Sequence, residues 1–196
     1  MANHRRSDWL NAPAIEVAPR LLGAVLSHRA DEGTVSVQLT EVEAYDGEND
    51  PASHAWRGRT ARNAVMFGPA GFCYVYFSYG VHWCANVVCG PDGTAAAVLL
   101  RAGRVIEGVE LARFRRGPVA ERALARGPAC LTRALGIGPE HGGADLRGGG
   151  PLVLEPGRQP ACSSGPRVGI SRAADRPWRF WATGDETVSA YRGLAG

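Results

Sequence analysis

From Gly33 to Tyr45 the chain reads GTVSVQLTEVEAY, and the first half of this stretch alternates. Val35, Val37 and Leu39 are separated by Ser36 and Gln38, the period-two pattern of a strand with one buried face. Carried forward at the same parity, Glu41, Glu43 and Tyr45 fall on the apolar face. Two carboxylates among core side chains are out of place unless the strand runs into a cleft or carries a bulge. Upstream, residues 8–29 read as a helical or mixed start, with APRLLGAVLSHR apolar enough to pack. Downstream, DGENDPASHAWRGRTARNAVMFGPAG has no period over its 26 residues, 46–71, too long for an idle connector.

Alternation resumes at Phe72. Phe72, Tyr74 and Tyr76 interleave with Cys73, Val75 and Phe77, then Tyr79-Gly80 marks a turn and a second strand runs from Val81 to Val88. In this hairpin Tyr74 and Phe77 are expected as core, whereas Tyr79, beside the turn glycine, is poorly placed for one. GPDG at 90–93 is a turn, and TAAAVLLRAG predicts a third strand ending at Arg101. RVIEGVELARFRR reads as an amphipathic helix. GPVAERALARG predicts a second helix between Pro118 and Gly127, and PACLTRALGIG a third that closes at Gly136. EHGGADLRGGGP is a glycine-rich loop without the GK[ST] of a phosphate loop. PLVLE, RVGIS and WRFWATG predict short strands. There is no internal repeat. The sum is one mixed α+β domain over 1–196 with a largely antiparallel sheet and flanking helices, residues 1–10 and 192–196 being loose termini.

Composition narrows the function. The 196 residues with 45% hydrophobic content suit one core. No apolar run is long enough for a transmembrane helix, and MANHRRSDWLNAPA has no apolar segment of a secretory leader, so a cytoplasmic protein without membrane contact is expected. The 5 cysteines are odd in number and irregularly spaced, which argues against a disulfide framework, and no zinc pattern is present. All 22 basic residues are arginine, so no side-chain amine is available for a Schiff base. The net charge is only +3, but Arg101–Arg133 holds 8 arginines against 3 glutamates, a region attractive to a polyanion if it is not simply a solvated helix face. Asp31–Asp50 holds 7 acidic residues and no basic one.

The residue types that carry chemistry are Glu43 with Tyr45, His54 in the long loop, the hairpin tyrosines, Asn86, and Arg101 at a strand end. Each has a plain structural alternative: a salt-bridged strand carboxylate, a satisfied loop histidine, core rings. Their order is more specific than any one of them. LTEVEAYDGENDPASHAWRGRTARNAVMFGPAGFCYVYFSYGVHWCANVV resembles the core of the alkyladenine (3-methyladenine) DNA glycosylase family. The likeness rests on the TEVEAY strand, His54 nine residues after Tyr45, the RN…MF loop and the YVYFSYGVHWCAN hairpin. It continues through VLLRAGRVIEG, the GP…ALGI segment, RVGI at 167–170 and PWRFW at 177–181, covering roughly residues 20–190.

The resemblance implies a curved sheet with a protruding β-hairpin. It implies a monofunctional hydrolase that flips alkylated purines such as 3-methyladenine or 7-methylguanine, and deaminated or etheno purines, out of duplex DNA and cuts the N-glycosidic bond. It implies no cofactor and no metal, and damaged double-stranded DNA as partner; a monomer associated with the nucleoid is expected. Carried over by position, Glu43 resembles the general base and Arg101 the arginine that holds the carboxylate and the attacking water. Tyr45, His54 and Tyr76 resemble the walls that sandwich the flipped base. Cys84, Asn86 and Leu99 fall at further pocket positions, Asn86 as the amide that discourages normal guanine. Tyr79 resembles the wedge that fills the hole in the duplex, with Val81 beside it, and Arg59 and Thr60 match a phosphate-touching loop. The chain departs from the pattern at Cys130, where family members often carry lysine, at Val81, where a longer apolar residue occurs, and at His82, often an aromatic. A base-flipping binder without catalysis and a nucleosidase acting on free nucleosides are the competing readings.

Overall fold

The alternating stretch Gly33–Tyr45 forms a 13-residue strand that is the spine of the molecule. The computed structural model describes residues 8–78 and 80–191. Helix α1 (Ala14–Leu21) comes first and buries Ala14, Val17, Ala18 and Leu21, the i, i+3, i+4, i+7 stripe of an amphipathic helix. Strand β1 (Val25–Ala30) follows at once, so the start of the chain is mixed rather than helical throughout. β1 pairs with β2 (Gly33–Tyr45) as a tight hairpin, Ala30 opposite Gly33. Then come β3 (Cys73–Ser78), β4 (His82–Val88), β5 (Ala97–Glu107), helix α2 (Val109–Arg116) and the two-residue β6 (Ala125–Arg126). Helix α3 (Pro128–Leu135), β7 (Leu152–Glu155), β8 (Cys162–Gly165) and β9 (Arg179–Ala182) complete the order.

The strands are antiparallel throughout, in the order β3-β4-β5-β2-β1-β7. β9 pairs with the second half of β2 at Glu41–Glu43, where β1 has ended, and β8 adds beyond it. The sheet therefore curls around β2, which pairs with β1 on one flank early and β9 late. Together with three helices it makes a single α+β domain. The main core lies between one face of this sheet and the helices, and includes Leu21, Leu26, Val35, Val37, Leu39, Leu100, Leu131 and Leu135. A smaller cluster of Ala55, Met66, Tyr74, Val88, Ala95 and Ala97 sits under the long loop on the other face.

The parity expected for β2 breaks at one place. Leu39 faces Gly103 and Glu41 faces Ala102, so β2 carries one extra residue, Thr40, between them. From Glu41/Ala102 to Val42/Leu100 the extra residue is Arg101, on β5. A bulge inserts one residue and reverses which face the following side chains take. Val35, Val37 and Leu39 point to the main core, and after the bulge it is Val42 and Ala44 that do. Glu41, Glu43 and Tyr45 are thereby turned to the opposite face. They do not share a face with Val35 and Val37, as strict alternation would have it.

Three other expectations change. The third strand does not end at Arg101 but runs to Glu107, because Val105 still packs in the core and Ser36 still pairs with Glu107. Gly108, at φ 70°, breaks the strand and lets α2 begin only at Val109. GPVAERALARG is not a helix: only Glu121–Ala123 makes a 3-10 turn before β6. RVGIS is not a strand either, since Arg167 turns inward and Gly169 takes φ 71°; the strand in that region is β8, earlier in the chain. Helix α3 follows its sequence signals, with Pro128 at its first position and Gly136 as left-handed cap.

Candidate active site

The second face of the sheet carries the site on one rung. Tyr74 of β3 lies opposite Asn86 of β4, Asn86 opposite Leu99 of β5, Leu99 opposite Glu43 of β2, and Glu43 opposite Arg179 of β9. Cross-strand partners point the same way, so five strands deliver five side chains to one surface. The neighbouring rung adds Tyr76 opposite Cys84. Above this floor is a pocket of about 490 Å³, a volume suited to a small ring system. Tyr45, His54, Tyr76, Cys84, Asn86, Leu99 and Arg101 all line it.

Glu43 is fully buried at the back, behind Tyr45, Arg101 and Val168. Its Oε1 accepts a 2.7 Å hydrogen bond from the Val168 backbone N–H and lies 3.2 Å from Arg101 Nη1. Its Oε2 accepts from the Tyr45 hydroxyl at 2.9 Å. Burial pushes the Glu43 carboxyl above the usual carboxylate range, against the pull of Arg101, the Val168 amide and the Tyr45 hydroxyl. The Tyr45 phenol is held well above its ordinary value, by burial first and then by the Glu43 charge, so it stays a donor.

Arg101 makes its short hydrogen bond elsewhere than expected. Its Nε donates to Glu41 Oε1 at 2.7 Å, and Arg179 Nε donates to the same oxygen at 2.7 Å. The Ser189 hydroxyl and backbone N–H complete the Glu41 shell. Glu41, like Glu43, is fully buried. Burial would raise its pKa, but Arg101 and Arg179 outweigh that and hold it below the usual range. A third buried pair stands next door: Asp50 with Arg167, whose guanidinium also lies over the rings of Tyr45 and Trp178.

The upper wall is aromatic. The rings of His54 and Tyr76 meet edge to face at 4.5 Å between centroids, and Tyr74 stacks beside Tyr76 at 5.7 Å. His54 Nδ1 and the Tyr74 hydroxyl are 3.1 Å apart. His54 is open to solvent on its pocket side, yet the surrounding shelter, and then the charge of Arg62, lower its pKa and favour the neutral ring. Arg62 rests over Tyr76 at 5.9 Å. Asn86 is buried and anchored by its Nδ2 on the Tyr74 carbonyl at 3.0 Å.

The DNA-facing expectations divide. β4 pairs with β5 only at Asn86–Val88, so the rest of the β3–β4 hairpin extends past its neighbour. Val81 at the tip is 73% exposed. Tyr79 lies outside the described residues. Phe77 is not core: it is 43% exposed and packs on Trp83 along the hairpin. Arg59 and Thr60 are exposed and outside the pocket; Thr60 N–H donates to Asn63 Oδ1 at 2.7 Å and helps fix the loop turn. Cys130 stands on α3 with Arg116 Nη2 3.0 Å from its sulfur, at the edge of a groove shared with Val81.

A family model described as methylpurine-DNA glycosylase matches residues 8–186. The chain belongs to the methylpurine-DNA glycosylase family. Its members are DNA glycosylases, hydrolases of N-glycosidic bonds in DNA. Among relatives provisionally named 3-methyladenine DNA glycosylase, that of Leifsonia xyli is 52% identical, with 94% of this chain and 91% of the relative covered. That of Streptomyces avermitilis is 52% identical over 94% and 90%, and that of Cutibacterium acnes 54% identical over 93% and 98%. The family match takes in the site from Glu41 to Arg179, with Thr187 and Ser189 beyond its end.

The sequence gives no role to Glu41, Asp50, Arg167, the Val168 amide, Arg179 or Ser189, although Glu41, Arg167, Val168 and Arg179 stand within stretches it singles out. Glu41 had a signal, its equal parity with Glu43. The others come from distant segments and meet only through the curl of the sheet.

Proposed function

We propose that this glycosylase excises alkylated purines, among them 3-methyladenine and 7-methylguanine, from double-stranded DNA by direct hydrolysis, with Glu43 as the general base. The observation that carries this reading is the placement of one buried carboxylate of raised pKa against an aromatic pocket, with Arg101 beside it. The base enters between Tyr45 on one side and His54 with Tyr76 on the other. Electron-rich tyrosine faces attract a cationic alkylpurine by about 0.5–2 kcal/mol, and a neutral His54 does not repel it. Arg62 must yield the Tyr76 face as the base arrives. Glu43 takes a proton from water, the water oxygen bonds to the sugar C1′, and the C1′–N bond breaks with its electron pair leaving on the base. Alkylation makes the base a good leaving group, so one carboxylate and a water suffice. The products are a free base and an abasic site.

The absence of lysine supports a monofunctional enzyme, since an imine with a side-chain amine cannot form. Asn86 is read as the amide that crowds the exocyclic amine of normal guanine, with Cys84 and Leu99 completing the floor. Tyr79 and Val81 are assigned to the duplex at the hairpin tip, and Arg59 and Thr60 to the phosphates. The enzyme acts as a monomer on the nucleoid, and deaminated and etheno purines extend its range. The test is single-turnover release of 7-methylguanine from a defined duplex. Glu43→Gln is expected to bind the duplex as the parent does and to release base at least about 100-fold more slowly. Equal release rates would remove Glu43 from the reaction.

A further inference from the structure

Arg167 is among the largest fully buried side chains, and no step of the chemistry above uses it. Its Nη1 donates to the Ala44 carbonyl at 2.9 Å, and its two terminal nitrogens clamp Asp50, Nη2 to Oδ1 at 2.8 Å. Its guanidinium lies 4.6 Å from the Tyr45 ring centroid and 5.1 Å from that of Trp178. The next residue, Val168, points its N–H at Glu43 Oε1. Two consecutive residues of an irregular segment therefore grip three consecutive residues of β2: Val168 takes Glu43, and Arg167 takes Ala44 and the face of Tyr45. Asp50, from the long loop, holds the arginine in place from the other side.

We propose that Arg167, braced by Asp50, is a positioning residue of the site, clipping segment 166–170 onto residues 43–45. The Val168 amide is thereby kept on the Glu43 carboxylate and the Tyr45 ring is kept in the pocket wall. This deepens the reading of Glu43 as base and rests on it. A purely structural role explains the arrangement less well. Buried ion pairs add little to stability compared with apolar packing, and Arg167 Nε is buried with no hydrogen-bond partner among the described residues. No strand or helix fixes residues 166–171, so the line of the Val168 amide depends on side-chain and loop contacts, of which the Arg167 clamp is the most buried. Hydrogen bonds to the ionised form of an acid favour that form. Loss of the Val168 N–H should therefore make Glu43 harder to ionise. The other groups facing Glu43 are Arg101, Tyr45, Glu41, Tyr76 and Cys84; of these Tyr45 is itself held by Arg167, so its 2.9 Å bond to Glu43 Oε2 belongs to the clip and its loss acts in the same direction.

The test is a carboxyl-carbon NMR titration of Glu43 in the free protein, its signal assigned with Glu43→Gln, for the parent, Arg167→Lys and Asp50→Asn. Both variants are expected to titrate at higher pH than the parent, by about half a unit or more, with Asp50→Glu returning part of the shift. Asp50→Asn keeps the shape of the clamp and carries the test if Arg167→Lys does not fold. An unmoved Glu43 titration in folded Asp50→Asn overturns the proposal. The acid limb of 7-methylguanine release should move with the titration. A parent that releases no base defeats the proposed reaction but leaves the titration result standing for or against the clip.

Discussion

Glu41 and Glu43 stand two residues apart on β2, both fully buried, and their acidities move in opposite directions. The difference is one of partners. Glu41 shares two guanidiniums and two Ser189 donors and behaves as the fixed anion of an ion cluster. Glu43 has one guanidinium at 3.2 Å, one amide and one phenol, and burial prevails. Glu41→Gln leaves Arg179 without its carboxylate and Arg101 with Glu43 alone, so a loss of about 3–5 kcal/mol is expected in urea unfolding. Glu43→Gln removes a charge that burial already penalises, and a change below about 1 kcal/mol is expected. A Glu43→Gln protein as unstable as Glu41→Gln would contradict this division. The pH profile follows from the same shift. Glu43 must be ionised to accept a proton, and its folded-state pKa is raised. Base release should thus fall as pH drops through a midpoint above 4.5, the ordinary glutamate value. An acid limb below that value, measured on a substrate whose binding is pH-independent, would mean another group controls the rate.

At the level of the element, the decisive feature is the double bulge at Thr40 and Arg101. It explains why the carboxylates could be found in the sequence while their face could not. Alternation fixes a strand and its side-chain parity, but a one-residue insertion has no composition of its own, and TEVEAY continues the pattern with the wrong phase. The same limit appears in β5, where Arg104 and Ile106 look like the start of a helix face and are in fact the exposed positions of a strand that continues to Glu107. Signals with a local cause survived: Pro128 and Gly136 bounded α3, and Gly80, at φ 66°, turned the hairpin. The pocket residues on β2–β5 were named from the resemblance, whose motifs run through them in order, whereas RVGIS alternates like a strand that does not form and gave no role to Arg167 or Val168. Deletion of Thr40 should be far worse than its substitution. Without the extra residue either Val42 and Ala44 leave the core or Glu41 and Glu43 enter it, and no folded protein is expected by circular dichroism. Thr40→Val keeps the bulge and loses only the 2.7 Å bond to Thr187 Oγ1, a cost of about 1 kcal/mol. A folded deletion variant would show that the bulge is not what aims the site.

Across the whole molecule, the surface bears on the site less than charge counting suggested. Of the arginines between 101 and 133, Arg101 is buried, Arg104 pairs with Asp185, Arg113 with Glu110 and Glu121, and Arg115 with Glu32. The eight arginines are spread over β5, α2, the Glu121–Ala123 turn, β6 and α3. The more telling global feature lies on the far side of the core, where β1 meets the end of α3. His28 and His141 are both buried, with their Nε2 atoms 3.2 Å apart. Gly138 N–H donates to His141 Nδ1 at 3.1 Å, so the His141 proton sits on Nε2 and points at His28. His28 then accepts on Nε2 and donates from Nδ1 to the Leu135 carbonyl at 2.7 Å. A further proton on His28 would set two N–H groups against each other. Burial lowers the His28 pKa; the Leu135 bond opposes this, and His141 and Arg115 reinforce it against the weaker pull of Glu32. Glu140, exposed and 3.0 Å from His141 Nδ1, is the remaining charge at the pair. The sign of the linkage is then set. The unfolded chain binds a proton at His28 near pH 6.5 and the folded chain binds it at lower pH, so stability from this group is complete above 6.5 and is lost as pH falls below it. Thermal unfolding of the parent should show a midpoint that declines from pH 7 to pH 5.5. His28→Gln, which can still donate to the Leu135 carbonyl, should start lower at pH 7 and decline less over the same interval. Parallel declines in the two proteins would assign the acid sensitivity to groups elsewhere in the fold.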